Sequence, residues 1–214
     1  MLKNIHISTI NCGIKYKNRD DLLLIKFDNL ATVAGVFTSS SMPASPVIWC
    51  KKNIENFNAK ALIVNAGNAN AFTGSKGDET VTKTANAVAH ELKCQAEEVF
   101  ISSTGVIGEV LDYTKITEAI PQMVEKFSNH ESAWDKASQS IMTTDTKPKL
   151  VKKTCQILGK NIDLIGFAKG SGGSQKWGCS PNASRSNGLT CPTTRSTRRS
   201  KTNSTGSWAS QTQP

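Results

Sequence analysis

The sequence predicts an α+β fold in which a mixed or antiparallel sheet is layered with helices. Three observations carry this expectation. Short apolar runs of strand length recur at 22–27, 61–64 and 99–101, and strand-like stretches follow at 149–158 and 161–168. Two longer segments, 79–93 and 112–127, space their apolar residues by three and four, the period of a helix with one buried face. Strands and helices do not alternate strictly, as a doubly wound parallel sheet would require.

Along the chain, Leu22-Leu23-Leu24-Ile25-Lys26-Phe27 follows the polar turn Asn18-Arg19-Asp20-Asp21 and reads as a buried strand. Residues 31–38, with Val33, Val36 and Phe37, read as its partner, with Asp28-Asn29 as the hairpin connection. Pro43 and Pro46 bound an irregular stretch, and 61–64 is a second buried strand. Asp78 is placed to cap a helix over 79–93, whose Val81, Ala85, Val88, Ala89 and Leu92 share a face. Val99-Phe100-Ile101 is a short strand. Asp112 caps a helix carrying Ile116, Ile120, Met123, Val124 and Phe127, in which Pro121 either makes a kink or heads a second helix. A further helix over 134–141 ends at Met142-Thr143-Thr144-Asp145-Thr146. The last two strands are joined at Gly159-Lys160.

The composition changes abruptly after Gly172. Residues 173–214 contain one residue from the set Val, Ile, Leu, Met and Phe (Leu189), no acid, and sixteen Ser or Thr. So little apolar surface cannot offset the entropy of ordering a backbone, so 1–172 is expected to be the folded portion and 173–214 a disordered basic tail. Six of the 26 basic residues and none of the 17 acidic ones fall in that tail, which leaves the body at +3. So mild a charge argues against a nucleic-acid binder. The six cysteines form no CxxC pair or zinc pattern; Cys94 and Cys155 sit in apolar patterns and are expected in the core. No window approaches the roughly 18 apolar residues of a membrane span, and Met1 to His6 lacks a signal-peptide core. The expectation is a cytoplasmic protein with no nucleic-acid or membrane partner, no metal and no cofactor.

Three polar loops are candidates for chemistry. Asn65 to Gly74 carries three Asn that either cap their own turns or bond a polar ligand. Ser103-Thr104-Gly105, at a strand end, pairs a hydroxyl with a glycine amide, two donors suited to a developing oxyanion. Thr143-Thr144-Asp145-Thr146 reads as a helix-terminal turn with Asp145 bonding locally. Lys169-Gly170-Ser171-Gly172 would let backbone approach a ligand, with a cation beside it for a carboxylate or phosphate, but it lacks P-loop spacing. His6, His90 and His130 read as isolated from acids, and no Ser-His-Asp or Cys-His arrangement is visible.

Five stretches in order, Ala34-Gly35-Val36-Phe37-Thr38, Val64 to Ala71, Ser103 to Glu109, Ile141 to Thr146 and Lys169-Gly170-Ser171-Gly172, resemble the bifunctional ornithine acetyltransferase/glutamate N-acetyltransferase family of arginine biosynthesis. The resemblance spans roughly 12–172. It implies a layered αββα sandwich like that of N-terminal-nucleophile hydrolases, assembled from α- and β-chains into a heterotetramer. It implies an acetyl group passed from N-acetylornithine to a Thr, freed as the β-chain N-terminus by autocatalytic cleavage, and then to glutamate; some members also accept acetyl-CoA. An α-amine with a pKa of about 7.7–8.0 suits the part of general base there. Carried over, Thr104 and Gly105 form the oxyanion hole, Thr144 (or neighbouring Thr143) and Lys169 bind substrate, and no metal or cofactor is implied.

The chain departs from the pattern after Gly172. The family continues to a Met-Ala-Thr context whose Thr is the nucleophile. Here Ser180 falls at that spacing without the context, and Pro181-Asn182-Ala183-Ser184 is a displaced echo. The expectation is an α-chain-like portion without nucleophile or β-chain, its tail read out of frame, inactive alone and with part of its apolar sheet surface uncovered. The alternative is a non-catalytic remnant or binding protein that uses its basic tail.

Overall fold

In the computed structural model the described residues are 4–170; the tail over 173–214, Ser180 and Ser184 lie outside them. The main sheet has four strands in the order β1-β2-β3-β4: β1 (Ile5–Ile10), β2 (Leu22–Thr32), β3 (Asn58–Asn68) and β4 (Val99–Val106). The first two pairings are antiparallel and β3–β4 is parallel, so the sheet is mixed. A separate antiparallel pair, β5 (Lys149–Ile157) and β6 (Lys160–Ala168), forms the second sheet.

The unbroken apolar run of β2 follows from burial on both faces. Leu22 and Leu24 point to one side with Ile63 and Ile101, where α2 (Ser75–Leu92) and α3 (Tyr113–Glu125) cover them with Val81, Ala85, Val88, Ile116, Ile120 and Met123. Leu23 and Ile25 point to the other, with Ile7 and Val64. There α4 (Glu131–Ser140) contributes Ala133 and Ala137, and Phe167 of β6 packs alongside. The architecture is the layered α+β arrangement expected.

Several elements differ from the sequence expectation. There is no hairpin at Asp28-Asn29: β2 runs on to Thr32 through an irregularity between Lys26 and Ala31, and 33–40 is irregular. Rather than bounding an irregular stretch, Pro46 opens α1 (Ser45–Asn53). It sits in the first turn, where the missing N–H has no helical acceptor to lose. Strand β1 carries little signal in the sequence, because its pattern, Ile-His-Ile-Ser-Thr-Ile, is short and half polar. Helix α2 begins four residues earlier than expected, with Gly74 at its cap and Asp78 in its first turn. Pro121 lies inside the single helix α3, which Asp112 caps by accepting from the Thr114 amide at 3.1 Å. His6 is not isolated: its Nε2 lies 3.0 Å from Asp28. Cys94 packs against the core, whereas Cys155, half-buried on β5, joins none of the core clusters; among the described residues the buried thiol is Cys50.

Candidate active site

The sheet order makes β4 an edge strand, and α1 covers only its first half. Cys50 Sγ donates to the Ile101 carbonyl at 3.1 Å and accepts from the Ile101 amide at 3.4 Å. Trp49 Nε1 donates to the Val99 carbonyl at 2.9 Å. The backbone groups of 99 and 101 therefore face the free edge. Register with β3 stays constant from Val99 through Gly105. The two-residue pleat then puts the amides of Ser103 and Gly105 on the same outer edge, beyond the reach of α1.

Thr104 and Gly105 lie within the strand, not in a loop after it. The sequence predicts a strand end at 101 because 102–105 is Ser-Ser-Thr-Gly, poor in apolar side chains. What allows the extension is a close approach of two backbones. Gly105 pairs with Gly67, and a Cβ on Gly105 would fall 2.2 Å from the Gly67 carbonyl carbon. Gly105 also has φ +138°, a conformation that favours glycine.

Asn65 and Asn68 belong to the end of β3 rather than to a loop, and the Asn-rich segment takes the structural one of its two readings. Asn65 Nδ2 donates to the Asn68 carbonyl (2.8 Å), Asn68 Nδ2 to that of Glu109 (3.0 Å), and Asn70 Nδ2 to that of Gly77 (3.0 Å). All three are buried, and the Ala69 amide bonds the Val106 carbonyl at 2.8 Å, which fixes the end of β4. These amides hold the strand ends that carry Thr104 and Gly105.

Lys169, just past β6, reaches the same place. Its Nζ donates to Thr104 Oγ1 at 2.5 Å across 65 positions of sequence. Thr144 is exposed on the loop after α4, beside Asp145, which ties that loop to the Lys169 segment through the Gly170 amide. Asp145 does more than close a local turn. Its side chain is 0 % exposed and accepts from Lys149 Nζ (2.6 Å), the Gly170 amide (2.7 Å) and the Thr143 amide (3.3 Å). Burial alone would raise its pKa, but these bonds outweigh that and hold it below the ordinary Asp value. The sequence signal for this wider role was slight: an acid between threonines, four residues before a lysine. From the other side, Arg19 Nη2 donates to the Met142 carbonyl at 2.5 Å, with its guanidinium carbon 3.6 Å over the Tyr16 ring. Nothing in the sequence spacing links Arg19 to this loop.

The arrangement places a cation, a hydroxyl and a glycine amide along one strand edge. Such a set can polarise a carbonyl and hold the charge that develops on its oxygen. Burial, first of all, raises the pKa of Cys12, Cys50 (to about 11) and Cys94, which favours the weakly nucleophilic thiol form. No helix among the described residues is long and apolar enough to cross a membrane.

Comparison with known proteins bears on the whole arrangement. The ArgJ family model matches residues 6–175. The arginine biosynthesis bifunctional protein ArgJ of Rhizobium meliloti is 46% identical over 171 residues, 80% of this chain and 41% of that protein. That of Bartonella henselae is also 46% identical over 171 residues, with the same two coverages, 80% and 41%. The chain thus spans about two-fifths of the length of the curated relatives it matches. The crystal structure of ArgJ from Bacillus halodurans superposes with a TM-score of 0.75 at 32% identity, covering 80% of this chain and 89% of that one. Ornithine acetyltransferase from Mycobacterium tuberculosis, complexed with ornithine, gives 0.72 at 31% identity, covering 80% and 91%.

Proposed function

Because the chain belongs to the ArgJ family, we propose that residues 5–170 supply one part of an acyl-transfer pocket that moves an acetyl group from N-acetylornithine to glutamate. Thr104 Oγ and the Gly105 amide are the donors to the oxyanion, and Lys169 and Thr144 hold substrate. The observation that carries this reading is the convergence of Lys169 on Thr104, next to an outward glycine amide on an uncovered strand edge. A relative complexed with ornithine supports a substrate of that class.

In this reading the attacking Thr lies in the part of the relatives beyond the matched two-fifths, as the β-chain of an α/β heterotetramer in a cytoplasmic enzyme. Acetyl transfers in two steps through an acetyl-Thr, and acetyl-CoA is an alternative donor. No residue after Gly172 has the Met-Ala-Thr context, so the 214-residue chain is inactive alone. Each oxyanion donor is worth roughly 10²–10³ in rate, so the pocket needs both in place while the hydroxyl attacks.

The test supplies the rest of the pocket. The purified chain alone should transfer no acetyl from N-acetylornithine to glutamate. Co-expression with the unmatched C-terminal part of the R. meliloti relative should restore transfer, and Thr104→Val should lower the restored rate about a hundredfold. Turnover by the chain alone would overturn the inactivity; an unchanged rate in Thr104→Val would overturn the role of Thr104.

A further inference from the structure

We infer that Lys169 acts through Thr104, fixing the Thr104 hydroxyl as a donor toward the open strand edge, and that buried Asp145 is the positioning residue that anchors Lys169 there. This deepens the proposed function and rests on its reading of Thr104 as an oxyanion donor.

The first half follows from donor chemistry. An ammonium group has three N–H donors and no acceptor, so in the 2.5 Å contact the Thr104 oxygen must accept. A hydroxyl that accepts from a cation has its own proton free to point elsewhere, and its O–H is polarised by the positive charge. Left to itself, a Thr hydroxyl on a strand edge rotates and donates to whichever acceptor is nearest. With Lys169 on its lone pair, it is preset to donate to an incoming oxygen, without reorganisation at the moment charge develops.

The second half follows from how Lys169 is held. Lysine carries about 2 kcal/mol of rotamer entropy, so its contact with one hydroxyl needs a fixed starting point. Lys169 lies just outside β6, where no strand pairing holds it. The next amide, Gly170 N, is bonded to Asp145 Oδ1 at 2.7 Å, and the same oxygen accepts from Lys149 at the start of β5 at 2.6 Å. One carboxylate thus pins both strands of the β5–β6 pair at their open end and sets where the Lys169 side chain begins. Asp145 and Lys149 are also the charged groups that bear on the Lys169 ammonium. Burial lowers its pKa below the ordinary lysine value, Asp145 works against that and Lys149 with it.

The experiment is nitrogen-15 NMR of lysine side-chain ammonium groups in the full 214-residue chain. A hydrogen-bonded ammonium exchanges its protons slowly enough to be seen, and a solvated one does not. Lys169→Arg and Lys149→Arg assign the two signals. Thr104→Val should speed exchange at Lys169 by about tenfold, the worth of a hydrogen bond to a charged group, and leave Lys149 unaffected. Thr104→Ser, which keeps the acceptor, should restore protection. Asp145→Asn should expose Lys169 although Thr104 is intact. Exchange at Lys169 indifferent to Thr104→Val overturns the inference, and protection surviving in folded Asp145→Asn overturns the anchoring. Should Asp145→Asn fail to fold, the Thr104 pair still decides. Protected Lys169 in a protein that never transfers acetyl, even when complemented, would refute the proposed function and leave this geometry standing.

Discussion

A Cβ built on Gly105 lies 2.2 Å from the Gly67 carbonyl carbon and 2.5 Å from the Asn68 amide nitrogen, so the obstacle to a side chain is backbone that cannot rotate away. Its φ of +138° adds a second cost that is independent of space. Gly108 isolates that second cost, because it has φ +83° and nothing within 4 Å of a Cβ. Gly108→Ala should therefore cost about 1–2 kcal/mol, the strain of a left-handed residue. Gly105→Ala should cost about 1–3 kcal/mol more, from overpacking. Urea denaturation of the two variants checks the difference; equal losses would mean that β3 and β4 can part at this point without penalty. The sequence marked Gly105 as a possible donor but was silent on this closeness, because Gly67 is 38 positions away and only the parallel register brings the two together.

At the scale of elements, what was legible was what burial writes into a local pattern. Leu22 to Ile25 is apolar at every position because β2 is covered on both faces, and α2 and α3 show their buried stripes at helical spacing. What stayed hidden was structure fixed by partners distant in sequence. Strand β1 is half polar and is completed by pairing with β2 and by the reciprocal bonds between Ile7 and Ser128, at 2.8 and 2.9 Å. The polar half of β4 is strand only because β3 runs alongside. The sequence places the β5–β6 turn at Gly159-Lys160, one residue later than the Leu158-Gly159 turn set by the pairing of Ile157 with Lys160, and it carries no signal of the strain there. Leu158 has φ +51° and Gly159 φ +75°, the pattern of a type I′ hairpin turn, and Leu158 is 97% exposed. A leucine gains nothing there, whereas Asn tolerates the conformation. Leu158→Asn should stabilise the hairpin by about 0.5–1 kcal/mol. Amide exchange in β5 and β6 should slow by about two- to fivefold. Unchanged exchange would show that this turn does not limit opening of the pair.

For the whole molecule, the question is what joins the second sheet to the first. Among the described residues the β5–β6 pair shares no strand with the main sheet, and its contacts with the body are made by side chains. Phe167 lies 6.1 Å from the Trp134 ring on α4, Lys152 meets Glu131 at 3.1 Å, Lys169 meets Thr104, and Asp145 holds the open end of the pair through Lys149 and Gly170. The Lys152 pair is exposed and worth little. Asp145 is enclosed, and losing its charge would leave the Gly170 amide and Lys149 with a weaker acceptor. Its carboxyl titrates below the ordinary Asp value in the folded chain, so the unfolded state takes up the proton first as pH falls. The attachment is therefore at full strength above about pH 3.9 and is lost as pH drops through the lower folded value. Acid should release the hairpin before the main sheet unfolds, because β2, β3, α2 and α3 are joined through the apolar cluster of Leu22, Leu24, Ile63, Val81, Ala85 and Ile116, which does not titrate. Fluorescence of Trp134, read against a Trp134→Phe control, should change in that window, while far-ultraviolet circular dichroism keeps most of its signal. Asp145→Asn should show the released signal already at neutral pH and no acid step. A single acid transition, shared by both probes and unaltered in Asp145→Asn, would mean that the two sheets part only when the whole chain unfolds.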